Sequence, residues 1–217
     1  MAERRGGGKE KLMAVVKANY VKRGIGEKGR AKATIRYIMH RHDRDGNRVT
    51  RDLFGFDGEL TKEQVYRMIE EAPQKGNTFY RIIISPAPRQ EDRYHDLDLE
   101  RLTLDTILKL EERIGKQVQF AATIHDDHSP NRHVHTLVLV EGKRLTKADL
   151  QSLRDKATER ALSQRRIKDQ IWEQHLSRRL SRYPSKSFIR TRSFRGGRAR
   201  TPRPFFFRNP YLKPITL

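Results

Sequence analysis

Residues 124–140, IHDDHSPNRHVHTLVLV, constrain the fold more than any other stretch of the chain. The run HVHTLVLV alternates. Successive side chains of a β-strand point to opposite faces, so His133 and His135 share one face while Val134, Val138 and Val140 share the other. Residues 118–125, VQFAATIH, read as a second strand. The connection DDHSPNR is turn-rich, with Pro130 and Asn131 as breakers. Antiparallel pairing of the two strands brings His125 close to His133 and His135. Three imidazoles converging from one face form a donor set for a divalent metal. Asp127, two residues past His125, stands where a carboxylate orients an imidazole through a hydrogen bond. A His-x-His on a strand also occurs as plain sheet surface; the third histidine, the neighbouring acid and the short connection set this one apart. His128 lies in the connection, either as a solvated loop side chain or as a substrate contact.

The partner of such a chain is constrained by charge. The 217 residues carry 47 Lys+Arg against 27 Asp+Glu, a net charge of +20. A protein this basic most often binds nucleic acid, because phosphate neutralisation supplies most of the affinity. An anionic membrane surface is the competing partner. No apolar stretch approaches the ~20 residues needed to span a bilayer, and no signal-peptide core follows the basic N-terminus. Cysteine is absent, which removes disulfides and thiolate metal sites and fits a cytoplasmic setting.

Four segments follow. Residues 1–10 read as a flexible basic arm, 11–145 as the core domain, 146–182 as a basic amphipathic helical extension, and 183–217 as a basic, aromatic, largely disordered tail. Within the core, residues 12–20 form a first strand. Gly24, Gly26 and Gly29 follow in a loop that lacks the P-loop and dinucleotide spacings, which argues against ATP or NAD. Residues 30–41, RAKATIRYIMHR, read as a helix with Ala31, Ile35, Ile38 and Met39 on its apolar face. Tyr37 falls nearly opposite, close on the wheel to Arg30, His40 and Arg41. A tyrosine among cations is either an exposed ring without a role or a group presented to a phosphate. Residues 42–58 form a loop or hairpin with turn signals at Asp45-Gly46 and Asp57-Gly58. Thr61 and Gln64 make a capping box for the next helix. Residues 78–85 form a strand in which Ile82–Ile84 suggests burial on both faces. Residues 97–114 form a long helix that Gly115 stops. Thr146 and Asp149 cap a last helix, with Leu150, Leu153, Ala157 and Ala161 on one stripe and Ile167, Ile171, Leu176 and Leu180 on a second. Such a helix packs on the sheet edge or lies along DNA, and packing is the expected use of its apolar stripe. The tail, with Arg190, Arg192 and Arg195 among its cations, suits single-stranded nucleic acid by charge and base stacking, or else folds back through Phe205, Phe206 and Phe207. The fold class expected is α+β: a central antiparallel sheet with helices packed on one face and the three-histidine site on the other.

The chain resembles the relaxase, or mobilization nuclease, family of the HUH endonuclease superfamily over residues 12–146. RYIMHR is similar to that family's first motif, YRIIISP to its second, and the histidine stretch to its third. Many members end the third motif His-Pro-His-x-His, whereas this chain has SPNRHVH. The resemblance implies that Tyr37 is the nucleophile, that His125, His133 and His135 hold a metal, and that Asp127 is the motif's acid. Arg30 and Arg41 would bind the scissile phosphate and favour the phenolate, and Arg132 would join them in binding DNA. It further implies site-specific nicking and rejoining of single-stranded DNA at an origin of transfer, through a 5′-phosphotyrosine. Mg or Mn is the family's usual metal, although imidazole ligands favour Mn, Ni or Zn on softness. Accessory mobilization proteins and a coupling protein are the implied partners, in a bacterial cytoplasm. Two alternatives remain open. A replication initiator or transposase of the same superfamily carries its tyrosine after the histidines and would use Tyr183. A non-catalytic DNA-binding protein would need neither.

Overall fold

The computed structural model describes residues 14–21, 24–73, 75–126 and 131–181. The elements in order are β1 (Val15–Tyr20), α1 (Glu27–His40), β2 (Leu53–Gly55), β3 (Gly58–Leu60), α2 (Lys62–Glu71), β4 (Asn77–Ser85), α3 (Leu99–Ile114), β5 (Gln119–His125), β6 (His133–Glu141) and α4 (Lys147–Ser181). The strands make one six-stranded sheet in the order β1-β4-β6-β5-β2-β3, with every pair antiparallel. The chain divides into two compact units, the second beginning at Ile167 within α4. Among the described residues no helix is long and apolar enough to cross a membrane.

The alternation in β6 decides the layers. Val134, Val138 and Val140 are fully buried in a core with Leu99, Leu102, Ile107 and Leu110 of α3 and Leu153, Ala157 and Ala161 of α4. Leu137 and Leu139, of the same parity as His133 and His135, are buried in a second core with Ala31, Ile35, Ile38 and Met39 of α1 and Val65 and Ile69 of α2. Helices therefore cover both faces, which corrects the expectation of helices on one face only. The reason lies in the short second half of the pattern: past His135 the "polar" parity of β6 is occupied by leucines, and these need a cover. A fully buried Ile or Leu contributes about 1.5–3 kcal/mol, so Ile35 and Ile38 fix α1 on the sheet.

Local signals set most boundaries as expected. Thr61 accepts from the Gln64 N–H while the Gln64 side chain accepts from the Thr61 N–H. Thr146 and Asp149 do the same at α4. Gly115 ends α3 at φ 72° and donates its N–H to the Glu111 carbonyl. Helix α1 begins at Glu27, one turn before the expected Arg30, because the Gly24–Gly26 turn already closes there, with Glu27 N–H donating to the Gly24 carbonyl at 2.9 Å. Ile82 and Ile84 are fully buried, but Ile83 between them is only half-buried. Burial on both faces of β4 is thus not realised at its C-terminal end.

In the second unit the described part of α4 carries Ile167, Ile171, Trp172 and Leu176 exposed. The described members of the expected stripe, Ile167, Ile171 and Leu176, are thus exposed rather than buried. The tail residues lie outside the described part of the chain.

Residues 86–98, which link β4 to α3, are anchored by two buried acids, Glu91 and Asp92. Glu91 Oε2 accepts the Ala87 N–H at 2.7 Å. Burial nevertheless raises its pKa to about 7. Between the ordinary value of 4.5 and about 7 the folded chain keeps a proton that the unfolded chain has lost, so stability falls as pH rises through that window. Glu91→Gln is expected to remove the loss. The stability gap between variant and parent should grow by up to about 3 kcal/mol from about pH 4 to about pH 8, measured by denaturant melts across that range. A gap that does not change with pH would show that Glu91 is not held protonated.

Candidate metal centre

Register places the three histidines together. His125 is paired directly with His133, and His135 is paired with Thr123, one step along the same face. The ring centroids stand 5.4 Å apart for His125–His133, 4.6 Å for His125–His135 and 5.0 Å for His133–His135. One ring nitrogen from each lies within 4.8 Å of the other two. Nitrogens each about 2.1 Å from one ion stand roughly 3.0–3.4 Å apart, so small side-chain rotations close the set on a metal. His125 is 1% exposed, and His133 and His135 are half-buried.

Backbone carbonyls choose the tautomers. His125 Nε2 lies 2.9 Å from the Ile38 carbonyl, and His133 Nδ1 lies 2.9 Å from the Asn131 carbonyl. A carbonyl only accepts, so each of these nitrogens carries the proton. In the neutral ring the other nitrogen then holds the lone pair: Nδ1 of His125 and Nε2 of His133. Orientation of a ligand imidazole by a carbonyl on its far nitrogen is a common arrangement at metal sites. The donor set fits a divalent cation.

The Ile38 carbonyl is available because α1 ends two residues later, and the last carbonyls of a helix lack intrahelical partners. Its neighbours are satisfied by Arg51. The Arg51 N–H donates to the Met39 carbonyl at 3.0 Å, and Arg51 Nη1 donates to the Arg41 carbonyl at 2.8 Å. Arg51 is 8% exposed. The end of α1 is thus held by a candidate metal ligand and a buried arginine.

Tyr37, one residue before Ile38, is 53% exposed. The Arg41 guanidinium lies 5.7 Å from the centre of its ring. Arg30 is on the same flank but two turns back, with Nη1 donating to the Ile25 carbonyl at 3.0 Å. His40 has Nδ1 3.2 Å from Thr50 Oγ1. Burial first, then Arg48 and Lys62, hold its pKa below the ordinary imidazole value. Arg132, expected on DNA, faces the other way: its Nη1 donates to the Asp92 carboxylate at 3.3 Å and to the Leu97 carbonyl at 3.2 Å. Its guanidinium ties β6 to residues 86–98 and is committed to the fold. Asp127, His128, Tyr183, Arg190, Arg192 and Arg195 lie outside the described residues. The contributions of Ile38, Asn131 and Arg51 were not anticipated, since two act through backbone atoms and the third through a contact ten residues distant.

An antiparallel α+β fold with three histidines close enough to hold a metal ion is what fold and site together define. No family model matches the chain, and no curated protein and no solved structure matches it.

His133→Ala and His135→Ala should each weaken Mn or Zn binding in calorimetric titration by more than the 10–100-fold that losing an outer partner costs. Both side chains are half-buried, so the melting temperature without metal should change little. His125→Ala should lose metal affinity and stability together. Undiminished affinity in all three would remove the site.

Proposed function

We propose that the chain nicks and rejoins single-stranded DNA, with Tyr37 as nucleophile beside a metal on His125, His133 and His135. The observation that carries this reading is the His125–Ile38 hydrogen bond. It ties the histidine cluster to the helix end that bears an exposed tyrosine under a guanidinium. The net charge of +20 supports a polyanionic substrate.

The Tyr37 hydroxyl oxygen attacks a backbone phosphorus. The new bond joins that oxygen to phosphorus, and the bond from phosphorus to the 3′ oxygen breaks. The phenolic proton passes to water or to the Asp127 carboxylate, and the departing 3′ oxygen takes up a proton to become a hydroxyl. His125, His133 and His135 would hold a divalent ion, Mg or Mn, which would supply positive charge toward the non-bridging oxygens. Arg41 stabilises the phenolate and the phosphate approaching it. One phosphodiester replaces another, so rejoining by the 3′ hydroxyl needs no nucleotide. In a cell this chemistry fits mobilization of DNA from an origin of transfer in the cytoplasm.

Tyr37→Phe keeps the ring and removes the hydroxyl. The variant should bind metal and oligonucleotide within about twofold of the parent and form no covalent adduct with DNA. A denaturing gel with labelled oligonucleotides and Mn or Mg reads the result. A variant that forms adduct like the parent would exclude Tyr37, and His40, His42 and Tyr183 would be examined next.

A further inference from the structure

The sheet face that carries the histidines is only partly roofed. Helix α2 flanks α1 on one side: Lys28 and Lys32 of α1 pair with Glu70, and Lys32 lies over the Tyr66 ring. The start of α1 lines a cavity with Asn77 and Phe79 of β4, whereas the end of α2 lines one with Gln119 of β5. The side of α1 away from α2 therefore faces β4 and the edge strand β1. Tyr37 lies nearly opposite the buried face of α1, about 140° around the helix from Lys32.

On the parts of those two strands nearest the histidines, the histidine-face residues are Val15, Lys17 and Asn19 of β1 and Arg81, Ile83 and Ser85 of β4. Parity follows from register: Lys17 pairs with Ile83 and Ile83 with His135, while Asn19 pairs with Arg81 and Arg81 with Leu137. Lys17, Asn19 and Arg81 are exposed. An exposed arginine on an inner strand means that, among the described residues, this part of the face has no cover. Lys17 stands two strands from His135, roughly 10 Å at the spacing of a sheet. The strip is thus basic, narrow and continuous with the candidate metal centre.

We propose that this strip of β1 and β4 is the bed of a single nucleic-acid strand, with Lys17 and Arg81 on its phosphates and the strand running toward His135. Resting on the DNA-nicking reading, it adds the path by which substrate reaches the site. Charge complementarity selects a polyanion. A single strand rather than a duplex follows from the nicking reading, in which the phosphate attacked lies in single-stranded DNA. Half-buried Ile83 gives a base an apolar surface beside the two cations.

The test uses the full chain carrying Tyr37→Phe, so that binding is read without covalent trapping. Anisotropy of a labelled single-stranded oligonucleotide is followed over a salt series for this protein and for the same protein with Lys17→Gln, Arg81→Gln, both, or Arg101→Gln together with Lys109→Gln on α3 as a control that removes the same two charges elsewhere. The double variant should bind at least about tenfold more weakly. Its salt slope should fall by about 1.4, the value for two phosphate contacts on a single strand, while the α3 control should change neither by as much. An unchanged affinity and slope in the double variant, a loss matched by the control, or equal competition by a duplex of the same sequence would overturn the strip. Adduct formation by the chain with Tyr37 intact separates the two ideas. Adduct with an ineffective double substitution keeps the nicking and sinks the path, whereas a salt-slope loss without any adduct keeps the path and sinks the nicking.

Discussion

One hydrogen bond joins the two halves of the candidate site. His125 belongs to the sheet and the Ile38 carbonyl to the last turn of α1, and they meet at 2.9 Å across 87 positions of sequence. The bond satisfies a carbonyl that helix geometry leaves without a partner. It also fixes which nitrogen of His125 faces the other histidines. A nearly fully buried imidazole is costly unless hydrogen-bonded, so the contact matters to the fold as well as to the site. Because Tyr37 precedes Ile38, the position of the proposed nucleophile and the orientation of a proposed ligand are set by the same few atoms. Arg51 reinforces the arrangement by holding the carbonyls of Met39 and Arg41.

Strand β6 has two different neighbourhoods on one of its faces. At its start, His133 and His135 are half-buried beside His125; further on, Leu137 and Leu139 lie under α1 and α2. The same parity thus changes from chemistry to core within four residues. The opposite parity, Val134 to Val140, is core throughout. A strand supported by two cores is a rigid base for ligands, and rigidity on regular elements is what a metal or catalytic constellation needs.

Much of this was legible in the sequence, for physical reasons that can be named. The period of two in HVHTLVLV gave the shared face of His133 and His135, and the short connection to VQFAATIH gave the pairing with His125. The helical wheel of residues 30–41 separated Tyr37 from Ala31, Ile35, Ile38 and Met39, and those four are the buried residues of α1. What failed has equally definite causes. Leu137 and Leu139 share parity with the histidines and were not read as a demand for a second helical layer. Arg132 counted as a cation for DNA because a sequence cannot display Asp92, 40 residues earlier, beside it. Ile167, Ile171 and Leu176 have helical spacing, but spacing alone does not supply a surface to bury against, and they are exposed. The carbonyls of Ile38 and Asn131 leave no trace in a sequence, since every residue has one.

The central claim is that Tyr37 becomes covalently joined to DNA. Trypsin cuts after Arg36 and Arg41, so the site lies on a five-residue peptide, YIMHR. The most direct measurement is fragmentation mass spectrometry of that peptide after the chain has been incubated with single-stranded oligonucleotides and Mn, then digested with nuclease and trypsin. The account predicts a nucleotide remnant on Tyr37 that is missing when the metal is chelated. A remnant on His40 or on the peptide bearing Tyr183, or unmodified peptides throughout, would contradict it.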